Sequence, residues 1–261
     1  MIGFLIRKTF YDLWDNMFRI VVLNLGFIAC VAISFFLPRL GDLFTDSDIL
    51  KLILFAPGIL ICSIYLAMAA FTIKPISDYG SFSFQDFFKT FKTAWPAGLV
   101  MGFFVIFLFL IVTVTIPEYI AMEPPMVGLV LASIIFWTAF FAVLSFQYYF
   151  SVITRLGPGL RKALKKSVLI AMDNTGLSIF LIIHNIFVLI ISSFLVFMFP
   201  GPVGILLYID QAVRLRLLKY NWLEANPGVN RRKIPWDELL IEEREKTGER
   251  TLKNIIFPWK D

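Results

Sequence analysis

Long uncharged stretches alternate with short polar ones along most of this 261-residue chain. Four of these stretches lack Asp, Glu, Lys and Arg over about the 20 residues that cross the hydrocarbon of a bilayer. A fifth is too long for one crossing, and Pro200-Gly201-Pro202 interrupts it, because proline disrupts a helix interior. The pattern therefore predicts six transmembrane helices, over residues 20–37, 52–73, 97–116, 126–153, 175–199 and 203–219.

The sixth predicted span is the least apolar, because Asp210, Arg214 and Arg216 fall within it. It crosses a bilayer only if the leucines beside the arginines continue an apolar face while the guanidinium groups reach the lipid headgroups. Five spans followed by a helix that lies in the membrane interface is the alternative that the sequence leaves open.

Composition excludes several classes of protein. Hydrophobic residues make up 59% of the chain and charged residues only 16%, whereas soluble domains average roughly 45–50% and about 25%. A water-soluble fold cannot bury that much apolar surface. The composition therefore rules out a soluble globule, a disordered chain, a disulfide-stapled secreted module and a nucleic-acid binder. The fold class that it predicts is an all-α integral membrane protein.

The positions of the charges favour one orientation. With the N-terminus inside, two basic residues lie outside, Arg39 and Lys51, and the outer loops otherwise carry acids. The basic residues on the inner side are Arg7, Lys8, Arg19, Lys74, Lys89, Lys92, Arg155, Arg161, Lys162, Lys165 and Lys166. Because cytoplasmic loops of membrane proteins are enriched in Lys and Arg, we expect both termini in the cytoplasm. The net charge of +5 then reflects topology and not a polyanionic ligand.

A short amphipathic helix is predicted before spans one, three and five, beginning near residues 10, 84 and 161. The second starts at a capping box formed by Ser83 and Asp86. The third has an apolar stripe on one face and four cations on the other. These cations are candidates for contact with lipid headgroups or a partner, and they are Arg161, Lys162, Lys165 and Lys166. The pattern predicts three units, each an interfacial helix followed by a transmembrane hairpin. The interfacial helices either form a cytoplasmic platform for a partner or only anchor the hairpins.

The residues from 220 to 261 form a polar cytoplasmic tail. Pro235 begins a predicted helix that ends at Gly248, with acids in its first turn and Lys246 in its last. The chain then closes on an apolar string that includes Phe257 and Trp259. Such a string needs a surface to bury against, so it either folds back onto the helices or docks on another subunit.

Candidate chemistry is sparse. The sequence contains no phosphate-binding glycine loop, no zinc-protease motif and no serine-hydrolase motif, so we expect neither an enzyme nor a bound cofactor or metal. His184 and Asn185 lie in span five, and Asp210 is the one acid in a predicted span. Ionisable groups within a membrane are expensive and often functional. A His184–Asp210 pair is therefore the candidate polar site. The structural alternatives are that Asp210 pairs with Arg214 one turn on, or that His184 forms a hydrogen bond between helices.

Two segments resemble a known family. Residues 13–24, Leu-Trp-Asp-Asn-Met-Phe-Arg-Ile-Val-Val-Leu-Asn, lead into span one, and residues 84–92, Phe-Gln-Asp-Phe-Phe-Lys-Thr-Phe-Lys, lead into span three. Both are similar to the YesL family of bacterial membrane proteins, a resemblance that covers roughly residues 10–220. The first outer loop departs from the short Gly-Pro turn expected of that family, since residues 39–48 read Arg-Leu-Gly-Asp-Leu-Phe-Thr-Asp-Ser-Asp.

The resemblance implies a bacterial cytoplasmic membrane protein whose relatives are often encoded beside carbohydrate ABC importers. It carries no catalytic residues. The first hypothesis is therefore a non-enzymatic accessory subunit that binds the permease and ATPase of such a transporter. The alternative is a small secondary transporter or channel with a path near spans five and six.

Overall fold

A computed structural model describes residues 1–41, 48–157, 159–230 and 234–248, with backbone alone at 40–41 and 48–52, and these residues contain helices but no strand. The α-helices are α1 (Ile2–Asp15), α2 (Met17–Gly41), α3 (Asp48–Ser77), α4 (Phe84–Leu110), α5 (Ile116–Ile120), α6 (Pro125–Phe146), α7 (Tyr149–Leu156), α8 (Leu160–Asp173), α9 (Thr175–Phe194), α10 (Gly201–Ala225), α11 (Trp236–Leu239) and α12 (Ile241–Thr247). A π-helical segment, Ile111–Thr115, joins α4 to α5.

Five helical stretches of the described chain are long and apolar enough to cross a membrane. They are Met17–Arg39, Ile53–Ser77, Phe84–Ile120, Pro125–Leu156 and Thr175–Phe194. The fold class is therefore that of an all-α, multi-pass membrane protein, as the hydrophobic pattern predicted. Helix α10 is not among the five, since its first 18 residues include Asp210, Arg214 and Arg216.

One predicted boundary is corrected by the structure. The second amphipathic helix is not separate from span three, because α4 begins at the predicted Ser83–Asp86 capping box and continues through Pro96 into the apolar run. The run predicted as one span over 126–153 lies within one candidate span, Pro125–Leu156, in which a turn at Gln147 and Tyr148 separates α6 from α7. A proline inside a buried or membrane helix is tolerated where neighbouring groups satisfy the backbone, so the residue type alone did not mark the helix ends.

Small residues let α2, α3 and α4 approach closely. A Cβ atom on Gly98 of α4 would lie 2.4 Å from the Cα of Ile64 in α3, and one on Gly58 of α3 would lie 2.7 Å from the Cα of Ser34 in α2. Gly102, one turn beyond Gly98, faces the same helix. Membrane helices associate largely through such close van der Waals contact, so these glycines set the spacing of the three helices.

Helix α10 is the central helix of the described chain and packs on α1, α2, α3, α7 and α9. It runs antiparallel to α9, since Gly201 N donates to Ser192 Oγ (3.0 Å) at one end and Asn174 Nδ2 donates to Tyr220 Oη (2.7 Å) at the other. Its buried residues include charged and polar ones, namely Asp210, Gln211, Arg216 and Lys219. Its polar residues therefore face protein and not lipid.

Asn24 of α2 fixes the turn that leads into α10. Its side-chain amide donates to the carbonyl oxygens of Met198 (3.0 Å) and Pro200 (2.8 Å), and its Oδ1 accepts from the backbone N–H of Val203 (3.0 Å). Gly201 lies against this side chain with a φ of 62°, and a Cβ there would come within 2.4 Å of Asn24 Nδ2. Asn24 thus satisfies one of the free N–H groups at the start of α10 from another helix.

The amphipathic helices expose the apolar stripes that the sequence identified. On α1, Ile6, Phe10 and Trp14 are 42%, 40% and 39% exposed, whereas Lys8 and Thr9 are buried. Helix α8 likewise buries small residues, Ala163, Ser167 and Ala171, while the predicted stripe residue Met172 is 61% exposed. Much of each stripe therefore lies outside the core of the described chain, although Phe87 of the second stripe belongs to the core and Leu164 of the third packs against it.

Part of the tail folds back onto the helices. Leu240, between α11 and α12, is fully buried, and the guanidinium of Arg216 lies 5.3 Å from the ring of Trp236. The predicted tail helix is thus present but broken at Leu240, and it ends at Gly248 as expected. Residues 42–47 of the first outer loop, the basic residues 231–233 and the terminal string with Phe257 and Trp259 lie outside the described residues.

Candidate functional site

Asp210 of α10 is held by Arg155 at the end of α7. Arg155 Nε donates to Asp210 Oδ1 at 2.9 Å and Nη2 donates to Oδ2, which is a two-pronged contact. The hydroxyl of Ser77, the last residue of α3, is hydrogen-bonded to the same carboxylate. Asp210 is 3% exposed, and bidentate charge-assisted contacts of this kind are the strong ones.

A second set of charges continues this pair toward the tail. Arg155 Nη1 also lies 3.1 Å from Asp78 Oδ1, which is 3.3 Å from the Nε of Arg214. Arg214 in turn reaches Glu243 of α12 at 2.8 Å, and the hydroxyl of Tyr79 donates to the same carboxylate at 2.8 Å. Burial raises the pKa of Tyr79 to about 12.

The third set joins α1 to these residues. Lys8 Nζ lies 2.6 Å from Asp12 Oδ2 and donates to the carbonyl oxygen of Ser77 at 3.2 Å. Gln211 of α10 donates to the Asp12 carboxylate, and Thr9 is hydrogen-bonded to Gln211 Oε1. Burial lowers the pKa of Lys8, against the attraction of Asp12, and burial raises the pKa of Asp12, against the attraction of Lys8. We call the three sets together the ion cluster.

The predicted pairing of His184 with Asp210 is wrong, and so is the alternative pairing of Asp210 with Arg214. Asp210 pairs with Arg155, and the imidazole of His184 stacks on the ring of Tyr208, with centroids 3.9 Å apart. At about 100° per residue, positions 208 and 210 lie on nearly opposite faces of α10. The face of Tyr208 meets α9, whereas the face of Asp210 meets α3 and α7.

A cavity of about 160 Å³ lies beside His184, between α1, α9 and α10. His184, Asn185 and Tyr208 line it together with Thr9 of α1. Among the described residues, His184 Nδ1, Asn185 Oδ1 and the Tyr208 hydroxyl are buried atoms that have no hydrogen-bond partner. Buried polar atoms are nearly always paired in folded proteins, so these three are exceptions, but because each atom is itself buried they do not form the surface of the cavity.

The four cations of α8 remain on the surface. Arg161, Lys162, Lys165 and Lys166 are all exposed, and Val168, Leu169 and Met172 are exposed apolar residues of the same helix. The arrangement offers cations beside apolar side chains, which suits the headgroup region of an anionic membrane.

Sequence reasoning missed most members of the ion cluster. Arg155 was counted only as a charge that reports topology, and Glu243 belonged to a polar tail. Arg214 was considered for snorkelling and as a partner of Asp210, and Asp78 was not singled out. The one signal available was charge balance, since a buried acid such as Asp210 requires a buried base. That requirement does not say which base, because the choice depends on helix packing. Among the described residues, no group of three or more His, Cys, Asp or Glu is arranged to hold a metal ion.

Comparison of the chain with family models, with curated proteins and with solved structures gives no match.

Proposed function

We propose that this chain is a non-enzymatic accessory subunit of a carbohydrate ABC transporter in the bacterial cytoplasmic membrane. In this proposal it has six transmembrane helices, formed as three hairpins that each follow an interfacial helix, and both termini are cytoplasmic. It binds the permease through its spans and contacts the ATPase through its cytoplasmic elements. The ion cluster, which joins four separate stretches of chain, is the observation that supports this topology, and the resemblance to the YesL family is what suggests the partner.

The ion cluster supports an even number of crossings. It brings together α1, the residues after α3, the end of α7 and α12 of the tail, by way of Lys8, Asp78, Arg155 and Glu243. Helices α2 and α3 together therefore lead away from this cluster and back to it, and so do α4 and α6. Lys219 Nζ, 2.6 Å from Asp173 Oδ2, similarly joins the end of α10 to the residues before α9. Both observations favour a hairpin of α9 and α10 over a single crossing by α9.

The exposed stripes support interfacial positions for α1, the start of α4 and α8. Phe88 and Phe91 of α4 are 73% and 50% exposed, and Phe10 and Trp14 of α1 stack on each other at the surface. A helix that lies in the interface turns its apolar face to the acyl chains and its polar face to headgroups or protein. The bilayer is therefore the environment that these stripes fit.

An accessory role is supported by the state of the buried charges. Asp210, Arg155 and Arg214 are each held by partners of opposite charge, which leaves them committed to packing and not to proton transfer. The resemblance of residues 13–24 and 84–92 to the YesL family is what points to a carbohydrate ABC importer as the partner.

The topology is tested by labelling single cysteines in whole cells with a membrane-impermeant thiol reagent, after Cys30 and Cys62 are replaced by serine. We expect Glu123→Cys to react from outside, and Lys165→Cys and Glu224→Cys to react only after the membrane is opened. Reaction of Glu224→Cys from outside would contradict a return by α10. Glu123, Lys165 and Glu224 are all exposed, so failure of a site to react reports its side and not its burial.

The partner is tested by affinity purification from native membranes in mild detergent, with the tag after Asp261. We expect permease and ATPase subunits of an ABC transporter in the eluate. Replacing the four cations of α8 by alanine should reduce their recovery, whereas Lys89→Ala with Lys92→Ala, two exposed cations of α4, is the matched control. Recovery of the chain without any transporter subunit contradicts the proposal.

A further inference from the structure

Helix α8 separates its cations from its exposed apolar residues along its axis. The cations lie in its first half, over residues 161–166, whereas the exposed apolar residues Val168, Leu169 and Met172 lie in its second half. The centres of the two groups are about six residues apart, which is about 9 Å along the helix. An anionic phospholipid has the same order of groups, because its phosphate lies in the headgroup region and its acyl chains lie deeper.

The four cations of α8 are unpaired among the residues that the structure describes. None of their side chains forms an ion pair in that part of the chain, and residues 160–172 contain no acid. By contrast, Lys89, an exposed cation of α4, lies 3.0 Å from Asp86. Helix α8 therefore presents positive charge that the described fold does not balance, and basic clusters of this kind attract anionic lipids.

A groove of about 470 Å³ lies between α7, α8 and the end of α10. One of the four cations, Lys166, lines it, together with Tyr220 of α10. Its apolar lining comes from α7 and α8 and consists of Leu156, Leu169, Ile170 and Met172. All of these apolar residues except Ile170 are exposed, so the groove is open on its apolar side. It therefore offers a hydrocarbon surface directly beside a cation.

The one acid in the groove is already neutralised by the fold. Asp173 also lines the groove, but its carboxylate lies 2.6 Å from Lys219 Nζ and accepts a hydrogen bond from the Tyr220 hydroxyl at 2.9 Å. Lys166 lies two turns earlier on the same face of α8, about 10 Å away along the axis. The unbalanced charge of the groove is therefore positive and lies at the Lys166 end.

We propose that this groove binds one anionic phospholipid, with the phosphate on Lys166 and an acyl chain along Leu169 and Met172. The other three cations of α8 add positive charge around the headgroup without lining the groove. A zwitterionic lipid lacks the net charge that these cations select, and free phosphate lacks the chain that the apolar residues bind. The proposal rests on the interfacial position of α8 in the proposed topology and not on the transporter partner.

The test uses native mass spectrometry of the purified full-length protein in a non-ionic detergent, titrated with dioleoylphosphatidylglycerol. We expect one phosphatidylglycerol per chain to bind more tightly than any further copy, and more tightly than dioleoylphosphatidylcholine. Excess inorganic phosphate should not displace it. Lys166→Gln removes the charge at the groove and should weaken binding about fivefold, which corresponds to the roughly 1 kcal/mol that one cation contributes near a membrane surface.

Lys165→Gln is the matched control, because Lys165 is exposed on the same helix but does not line the groove. It should weaken binding by less than about twofold, since water and salt screen a charge away from the site. Equal effects of the two substitutions would indicate diffuse attraction to α8 and would overturn the proposal. Equal binding of phosphatidylcholine, or displacement by inorganic phosphate, would overturn it as well.

The outcome is separate from that of the proposed function. No transporter subunit is present in this experiment, so failure to recover such subunits by affinity purification leaves the lipid result unchanged. The side of the membrane on which α8 lies is tested independently by the labelling of Lys165→Cys.

Discussion

Removing one partner of the Arg155–Asp210 pair should destabilise the protein strongly. In Asp210→Ala, the guanidinium of Arg155, whose side chain is 8% exposed, keeps Asp78 as its one charged partner in the described part of the chain. In Arg155→Ala, the carboxylate of Asp210 keeps, among the described residues, only the hydroxyl of Ser77 as a hydrogen-bond partner. Leaving a buried charge without its partner costs about 3–5 kcal/mol. We therefore expect a loss of that size in the free energy of unfolding from either substitution.

Replacing both partners should restore most of this stability. Arg155→Met with Asp210→Leu removes both charges and keeps apolar volume, a change that is often neutral or stabilising for buried pairs. Neither neighbour is left alone, because Ser77 Oγ also reaches the carbonyl oxygen of Lys74 at 3.1 Å and Asp78 keeps Arg214 at 3.3 Å. The four proteins form a double-mutant cycle that isolates the interaction of the pair.

Thermal unfolding in mild detergent, followed by circular dichroism, measures these effects. At about 2–4 °C per kcal/mol for a chain of this size, each single substitution should lower Tm by about 6–20 °C. The double variant should unfold near the unmodified protein. A double variant as unstable as the single ones would refute the reasoning, as would single variants that change Tm by less than about 2 °C.

Three further substitutions probe the packing and the ion cluster. Gly201→Ala should destabilise the turn before α10, since its Cβ would lie 2.4 Å from Asn24 Nδ2 at a φ of 62°. Gly98→Val should lower Tm by forcing α4 away from α3. Burial raises the pKa of Tyr79 from its usual value of 10.0 to about 12. Its contribution to the free energy of unfolding is therefore complete below pH 10 and is lost as the pH rises through 12. The Tyr79→Phe variant should lose less stability than the unmodified protein over that range.

Two glycines offer controls for the packing substitutions. A Cβ on Gly3 or on Gly176 would meet no atom within 4 Å in the described chain. Gly3→Ala and Gly176→Ala should therefore leave Tm nearly unchanged or raise it, since alanine is the better helix former. Losses as large as those of Gly98→Val and Gly201→Ala would mean that glycine itself, and not close approach, sets the stability. If the unmodified protein and Tyr79→Phe lost the same free energy of unfolding between pH 10 and pH 12, the argument from the pKa of Tyr79 would be contradicted.

Much of the fold could be predicted because its signals are local. Apolar length located the helices, the Ser83–Asp86 capping box began α4 as expected, and Gly248 ended the tail helix. The turn between α6 and α7 carried no such signal, because no proline, glycine or charged residue lies at Gln147 and Tyr148. Helix α10 was also ambiguous, since Asp210 and the arginines are equally compatible with snorkelling to lipid and with burial against protein.

The candidate site could be predicted only in its residue types. The sequence identified His184, Asn185 and Asp210 as unusual residues within spans, and all three are partly or fully buried. It placed His184 and Asp210 in one site, whereas they lie in two. Residues on opposite faces of α10 contact different helices even when they are close together in the sequence.

The sequence by itself determined that this chain is helical and apolar enough to enter a membrane, because a bilayer requires about 20 consecutive apolar residues and an internally hydrogen-bonded backbone. It also determined where the cations concentrate. Only the tertiary structure decided that Asp210 binds Arg155 and that His184 and Tyr208 share a cavity. These pairings join residues far apart in the chain, and they depend on which faces of α3, α7, α9 and α10 meet when the helices pack.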